Sequence, residues 1–260
     1  MAVHGDPRRE CREGDAMKET GVLMIDAMRD KAIADLKTQT RRVIIPQPHY
    51  LAQTAIKAEG QSMDGRDWKF ASNPVPGLYH AVSPWVKCPY GRPGDRLYLK
   101  EDVCLTRKRI GGKLCVIANY RFCYEDTGFR QYKWEDLDKA TRQKLLHKKT
   151  WGRWTSKLLM YKFLARVWFD ITDIRVQRLQ EISEFDAVAE GCDNALARSF
   201  AGGTDTDDPD SGLEFAYVTN KEFLYQHLWD SINADRAEGK YAWNENPWCW
   251  AYTFRRIVDK

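Results

Sequence analysis

The sequence contains no run of about 18 consecutive apolar residues, so it predicts no segment that crosses a membrane. Its first twenty residues are polar and lack the apolar stretch of a secretory signal peptide, which favours a cytoplasmic location. The seven cysteines are odd in number, widely spaced and without a Cys-x-x-Cys pair, and the five histidines are equally dispersed. This pattern argues against a disulfide framework and against a zinc site. We therefore expect reduced cysteines and no bound metal.

The motifs of several enzyme classes are also missing. The chain has no GxGxxG or GxxxxGK(S/T) loop to hold phosphates and no GxSxG turn for a serine nucleophile. No internal repeat is present, and we expect no organic cofactor. The acidic segment 200–212 resembles a calcium loop only superficially, because Pro209 stands at a ligand position and no bidentate Glu follows.

The composition that remains is that of a globular protein. The 260 residues are 43% hydrophobic and 30% charged, which is enough apolar content to bury a core. Apolar periodicity and turn residues predict strands at 21–25, 96–101, 103–110, 113–120, 163–180 and 248–257, and helices at 26–37, 184–190 and 219–232. The charged residues 1–19 are expected to be a loose tail, and the proline-rich residues 46–90 to be loops and short pieces.

Two local signals are sharper than the rest. Gly111-Gly112 supplies positive φ at both turn positions and predicts a hairpin between its flanking strands. Ser183 and Asp186 have the spacing of a capping box, with Ser183 as the N-cap, and Gly191 is well placed to end the helix that follows.

A strongly basic segment lies between residues 139 and 166. It has nine basic residues and no acidic residue, and aromatic rings lie among them. Cations for phosphates and rings for base stacking are typical of a nucleic-acid surface. The candidate contact residues are Lys144, Lys148, Lys149, Trp151, Arg153 and Trp154. The alternative is a solvated basic face whose aromatic rings point into the core.

The segment KTQTRR, residues 37–42, has the highest concentration of side chains that could take part in catalysis or binding. It places two hydroxyls and three cations within six residues, at the expected end of the first helix. Lys37 and Thr40 are three residues apart, so one helical turn would place both side chains on the same side. Arg41 and Arg42 follow directly and are candidate substrate-binding residues.

Five segments in this order resemble the ASCH family, and most of all the long ASCH proteins of phages and prophages. They are KTQTRR after a short helix, YGRPGDRLYLKE, ITDIRVQRLQEISEFDAVAEG, LWDSIN and NPWCWAYTFRRI. The resemblance extends from about Val22 to Val258. It implies an α+β, mainly β fold of the PUA-like class, a small β-barrel flanked by helices. It also implies one domain over residues 20–260, with insertions at about 46–90, 104–160 and 192–220.

The resemblance implies a function as well. PUA-like domains bind RNA or modified bases, and some small bacterial ASCH proteins hydrolyse N4-acetylcytidine with a Lys, a Thr three residues later and a Glu on a later short helix. These positions fall on Lys37, Thr40 and Glu190. The partner implied is a modified nucleoside or a nucleic acid, in the host cytoplasm if a phage encodes the chain. One departure is Asp35-Leu36, where the family has Gly-Arg before the Lys; Tyr161 and Phe163 replace a Pro and a Trp.

The chemistry of this set is consistent with amide hydrolysis, which needs a nucleophile, a proton acceptor and a stabilised oxyanion. Thr40 would attack or orient a water. Lys37 would act as the base if desolvated, or would stabilise the oxyanion if charged. Glu190 would take the proton or return it to the leaving amine. The structural alternative is that Lys37 and Thr40 cap a helix end and Glu190 pairs with a surface arginine.

Further candidates for substrate binding are Tyr98, Glu101 and Arg166, although the last two would equally form a structural ion pair. Two other functions stay open from sequence. One is a non-catalytic RNA- or DNA-binding module that uses residues 139–166. The other is a phage protein-interaction factor that uses the acidic loop 204–210.

Overall fold

The computed structural model describes residues 17–49, 52–57, 68–75, 78–81, 83–121, 128–200 and 220–257. These residues form both helices and strands. The helices there are α1 (Asp26–Ile33), α2 (Lys139–Leu146), α3 (Glu184–Ala189), α4 (Asn194–Phe200) and α5 (Lys221–Asn233). The strands are β1 (Glu19–Val22), β2 (Gln39–Val43), β3 (Thr54–Lys57), β4 (Trp68–Val75), β5 (Leu78–Ala81), β6 (Arg96–Leu99), β7 (Val103–Ile110), β8 (Lys113–Tyr120), β9 (Phe129–Lys133), β10 (Trp154–Thr155), β11 (Trp168–Arg178) and β12 (Trp248–Ile257). Every helix in these ranges is too short or too polar to reach across a bilayer.

The strands form three sheets. A five-stranded sheet has the order β1-β6-β11-β12-β2, a four-stranded sheet the order β10-β7-β8-β9, and a three-stranded sheet the order β3-β4-β5. The predicted α+β, mainly β class is therefore confirmed. In the described residues the five-stranded sheet does not close into a barrel, since β1 and β2 lie at its two edges.

The chain divides into two compact units. The main unit comprises residues 1–20, 26–97 and 169–260, and the inserted unit comprises residues 21–25 and 98–168. The insertion expected at 104–160 falls within the inserted unit. Residues 46–90, expected to be an insertion of loops and short pieces, contribute the three short strands of the β3-β4-β5 sheet. Of the insertion expected at 192–220, α4 is described, and the acidic loop 204–210 lies outside the described residues, as do residues 1–16 of the expected tail.

The aromatic strand β12 has the predicted bounds and is the central element of the main unit. It pairs antiparallel with β2, with Tyr252 opposite Thr40. Both of its faces are buried, because Trp250 and Phe254 on one side and Cys249 on the other are each at most 2% exposed. A strand buried on both faces fits an interior position in its sheet, and β12 lies between β11 and β2.

The predicted hairpin is also confirmed and forms the core of the inserted unit. Gly111 and Gly112 have φ of +58° and +79°, as the turn between β7 and β8 requires. Alternate residues of the two strands face one cluster of buried side chains: Val103, Leu105, Val116, Ala118 and Tyr120.

The first helix and the segment after it differ from the prediction. Helix α1 ends at Ile33 rather than Lys37, and Leu36 beyond its end is 61% exposed. Asp35 turns the chain with φ of +56°, and residues 39–43 then form strand β2. The helical turn expected to place Lys37 and Thr40 on one side is therefore wrong. Helix α5 begins after Asn220, whose side chain caps it by accepting a hydrogen bond from the N–H of Phe223.

A buried ion pair lies in the inserted unit. Arg166 donates from Nε and Nη2 to the two carboxylate oxygens of Glu101, at 3.0 and 2.9 Å, and the two side chains are 2% and 1% exposed. The guanidinium lies 4.0 Å from the ring centroid of Tyr120. Nearby, the ring of Tyr98 packs against Trp168 at 5.5 Å. These contacts give Glu101, Arg166 and Tyr98 structural partners, and their role in substrate binding stays a prediction.

Substitution of Arg166 by Met should destabilise the inserted unit strongly, because the Glu101 carboxylate would stay buried without its cation. We expect a loss of about 3–5 kcal/mol in the free energy of unfolding, measured by urea denaturation. The control is the double variant Arg166→Met/Glu101→Leu, which removes both charges and should lose less than the single variant. Equal losses in the two variants would show that packing, not the uncompensated charge, accounts for the effect.

Candidate active site

The Lys37 segment is held between strand β12 and the end of helix α3. The backbone N–H of Thr38 donates to the carbonyl of Ala189 at 2.9 Å, and the N–H of Phe254 donates to the carbonyl of Thr38 at 2.8 Å. These two bonds fix the start of β2 against two elements that are far away in sequence. The segment therefore has a defined backbone path.

The turn before Lys37 depends on the left-handed conformation of Asp35. The N–H groups of Leu36 and Lys37 both donate to the carbonyl of Lys31, at 2.9 and 3.2 Å, and so close the end of α1. A positive φ suits glycine best, but Asp and Asn adopt it more readily than other side chains. Asp35 therefore supplies the left-handed turn that ends α1 and leads into β2.

Lys37 and Glu190 are in direct contact. The Nζ of Lys37 donates to Oε2 of Glu190 at 2.7 Å and to its backbone carbonyl at 2.6 Å. The two side chains are 4% and 3% exposed, so the pair is buried. Two members of the predicted set, 153 positions apart, are thus brought together.

Helix α3 ends in the way that presents Glu190 to Lys37. Ser183 accepts a hydrogen bond from the N–H of Asp186, as predicted, and Glu190 is the C-cap. Gly191 follows with φ of +95°. A Cβ on Gly191 would lie 3.2 Å from a flexible side-chain atom of Lys31 and in ordinary contact with Cβ of Lys37, so the positive φ is the reason why glycine suits this position.

Arg41 connects the carboxylates of Asp186 and Glu190. Its Nη1 donates to Oε1 of Glu190 at 3.2 Å, and its Nη2 donates to Oδ2 of Asp186 at 2.7 Å. It also donates to the amide oxygens of Gln39 and Gln177, at 2.6 and 3.2 Å. Its side chain is fully buried, and its Nε has no hydrogen-bond partner among the described residues.

Asp186 has a different role from the one its spacing predicts. Its carboxylate does not close the capping box; it accepts from Gln39 at 3.0 Å and from Arg175 at 2.9 Å as well as from Arg41. Burial alone would raise the pKa of Asp186, but hydrogen bonds from Arg175 and Gln39 and the charge of Arg41 lower it below its usual value.

Burial dominates the protonation of Lys37. Desolvation lowers the pKa of Lys37 below that of an ordinary lysine, and the attraction of Glu190 offsets only part of the effect, while the nearby Arg42 charge lowers it further. The phenol of Tyr225, whose ring lies 5.9 Å from the Arg41 guanidinium, has a pKa raised well above its usual value by burial. Burial thus shifts the equilibrium of both groups toward their neutral forms.

Thr40 lies on the other face of β2. Successive strand residues point to opposite faces, so Thr40 and Arg42 face away from Gln39 and Arg41. The Thr40 side chain is buried, and no described residue forms a hydrogen bond with its hydroxyl. It shares its face with Tyr252, whose hydroxyl is buried and has no partner among the described residues. The structure therefore joins Lys37 to Glu190 but does not join Thr40 to either.

Half-buried Arg42 lies close to a pair of stacked rings. The rings of Tyr90 and Tyr252 stack with centroids 5.1 Å apart. Nη1 of Arg42 lies 3.5 Å from the carbonyl of Arg41. Both tyrosines interact electrostatically with the Arg42 guanidinium. The two candidate arginines thus lie on opposite faces of β2. Arg41 faces α3, and Arg42 faces Tyr90 and Tyr252.

The residues predicted to bind nucleic acid occupy different environments in the inserted unit. Trp151 packs against the core beneath the guanidinium of Arg107, 4.5 Å away, and Lys148 donates to Thr155 at 3.2 Å. Trp154 is 48% exposed. The remaining candidates are exposed: Lys144, Lys149 and Arg153. The aromatic rings of this segment are therefore divided between core and surface.

Sequence reasoning missed the polar partners of Arg41. Gln39, Asp186 and Gln177 all contact it, and only Asp186 drew attention, as a helix cap. The i and i+2 spacing of Gln39 and Arg41 would have grouped them if the segment had been interpreted as a strand.

A shallow groove of about 430 Å³ lies beside the end of α3. Its lining residues are Val188, Cys192, Asp193, Asn194, Ala195 and Lys221. None of Lys37, Thr40 or Glu190 lines this groove. In the described part of the chain, no three His, Cys, Asp or Glu side chains lie close enough together to hold a metal ion.

Comparisons of the chain with models of protein families, with the sequences of curated proteins and with solved structures gave no match. The geometry of the site is therefore the only structural support for a function.

The Asp186 contacts predict a pH-dependent stability. Because the pKa of Asp186 is lower in the folded chain, its contribution is complete above the ordinary value of about 4 and is lost as the pH falls through the lower folded value. We expect Asp186→Asn to reduce the free energy of unfolding by about 2–3 kcal/mol at neutral pH and by much less in acid. Urea denaturation at both pH values measures this. Glu184→Gln, at an exposed position of the same helix, should show no such difference.

Proposed function

We propose that the chain is an ASCH-domain protein of the PUA-like class that binds a nucleoside or nucleotide and hydrolyses an N-acyl group on a modified cytidine, of which N4-acetylcytidine is the model substrate. The observation that carries this proposal is the buried contact between Nζ of Lys37 and Oε2 of Glu190. These are two of the three residues that the family resemblance assigns to catalysis. They are in contact although 153 positions separate them in the sequence.

The surroundings of Lys37 support its role as the base. An amine accepts a proton only when neutral, and burial shifts Lys37 toward that form. Lys37 would take a proton from a water as the water oxygen attacks the acyl carbon. If the Thr40 hydroxyl attacks instead, the acetyl ester formed on Thr40 is hydrolysed by that water in a second step. Glu190 would relay the proton to the amine nitrogen as the C–N bond breaks. The products are cytidine and acetate, with one water consumed.

Polar atoms without a hydrogen-bond partner on β2 and on the neighbouring strand β12 support the binding of a ligand at these strands. Arg41 Nε and the Tyr252 hydroxyl are buried without a described partner, and the Thr40 hydroxyl forms no described hydrogen bond. A buried donor without a partner costs about 1–3 kcal/mol. A polar substrate that reached these atoms would recover part of that cost. Arg41 and Arg42 are the candidates to contact it from the two faces of the strand.

The assay is the release of cytidine from N4-acetylcytidine and other N4-acylcytidines, followed by chromatography. Lys37→Ala and Thr40→Val should each lower kcat by about 100-fold to 10,000-fold. Thr38→Val is the matched control, because Thr38 lies in the same motif and its backbone, not its hydroxyl, makes the described contacts. If the wild-type chain and Lys37→Ala alike release no cytidine from any substrate, the hydrolase proposal is wrong.

The pH profile tests the protonation state of Lys37. If neutral Lys37 is the base, kcat rises with pH to a plateau and falls as the pH drops below the pKa of Lys37, which lies below the ordinary value. Lys37→Arg keeps a positive charge at every pH and should be inactive throughout. An active Lys37→Arg variant with a flat profile would instead assign Lys37 to oxyanion stabilisation.

A further inference from the structure

The four-stranded sheet of the inserted unit has one face that does not pack on the buried cluster. Residues of β7 and β8 alternate between that cluster and the opposite side. The opposite side, called here the outer face, carries Cys104, Thr106, Lys108, Ile110, Lys113, Cys115, Ile117, Asn119, Phe129, Gln131, Lys133 and Trp154.

Two aromatic rings are exposed in one row of the outer face. Register places Trp154 opposite Cys104, Cys104 opposite Asn119, and Asn119 opposite Phe129. Trp154 is 48% and Phe129 46% exposed. Three strand spacings separate the Cα atoms of Trp154 and Phe129 by about 14 Å, which corresponds to about four nucleotides at the ~3.4 Å spacing of a stacked strand.

Charge on the outer face has one sign. None of its twelve positions is acidic, and Lys108 and Lys133 are exposed within it. The guanidinium of Arg121, the residue after β8, lies 5.2 Å from the Trp154 ring. Two acids lie at the margin: Glu135 contacts Lys113 at 2.7 Å, and Asp102 lies 3.9 Å from Arg121.

We propose that the outer face binds single-stranded nucleic acid. Trp154 and Phe129 stack on bases, Arg121 contacts a phosphate beside Trp154, and Lys108 and Lys133 contact phosphates of the same strand further along the face. Cys115 joins these two lysines in a row four residues along β7 and β9 from the rings. Exposed rings among cations are what such a strand requires, since every base offers a flat face and every linkage a negative charge. This surface differs from residues 139–166 as a whole, because it takes only Trp154 from that segment and its cations from β7, β9 and the end of β8. It does not depend on hydrolysis at Lys37.

The experiment measures the fluorescence anisotropy of labelled oligouridylate and oligothymidylate with the full chain, over a range of salt concentrations. Trp154→Leu should weaken binding about tenfold or more, while Trp154→Phe, which keeps a ring, should weaken it much less. Phe129→Leu provides the same comparison at the second ring. Unfolding midpoints in urea confirm that each variant is folded.

The salt dependence locates the phosphate contacts. Lys108→Gln/Lys133→Gln should reduce the slope of log affinity against log salt by about 0.7 for each lysine. The matched control, Lys144→Gln/Lys149→Gln, removes two exposed lysines of residues 139–166 and should leave the slope unchanged.

Four outcomes would overturn the proposal. They are no binding to either oligonucleotide, a larger effect of the control pair than of the outer-face pair, equal affinities of the Trp154 variants, and equal competition by polyglutamate, which would indicate a surface for any polyanion. Tighter binding of one oligonucleotide identifies RNA or DNA as the preferred ligand. Oligonucleotide binding by a wild-type chain that releases no cytidine would leave this proposal standing while the hydrolase proposal fails, so the two results are distinguishable.

Discussion

The rest of the site depends on the buried contact between Lys37 and Glu190. Removing an ammonium and a carboxylate from water is costly, and a pair is tolerated only if further hydrogen bonds satisfy both groups. Here the ammonium also donates to the Glu190 carbonyl, and the carboxylate also accepts from Arg41. The turn at Asp35 and the glycine at 191 are the backbone features that allow these side chains to meet.

The same contacts would serve stability alone, so their functional meaning rests on what the network leaves incomplete. A purely structural ion-pair cluster gains most when every buried donor is paired. Arg41 pairs four times through its Nη atoms yet keeps an unpaired Nε, and the Tyr252 hydroxyl on the opposite face of the sheet is likewise unpaired. Arg41 is on β2 and Tyr252 on its neighbour β12, so pairing is incomplete on both faces of these two strands, which is easier to explain by a ligand than by folding stability.

Elements with local signals could be predicted, and those formed by distant pairing could not. The hairpin at Gly111-Gly112, helix α3 and strand β12 follow from turn, cap and alternation patterns within ten residues or so. Strand β2 was mistaken for a helix end because its conformation depends on pairing with β12, over 200 residues away. Lys37 and Glu190 became candidates through a family resemblance, since no local pattern relates them, and the strand geometry then separated Thr40 from them.

The cations discussed in the two units differ in their exposure to solvent. In the main unit the cations of Lys37 and Arg41 are buried against carboxylates, and salt screens buried charges little. In the inserted unit Lys108 and Lys133 are exposed and face solvent, where a Debye length of about 8 Å at physiological salt weakens their attraction for a polyanion. Rising salt should therefore release a nucleic acid from the outer face while leaving the Lys37 site chemically unchanged. Turnover of a free nucleoside that persists at salt concentrations where oligonucleotide binding is lost would show that the two units act through separate contacts.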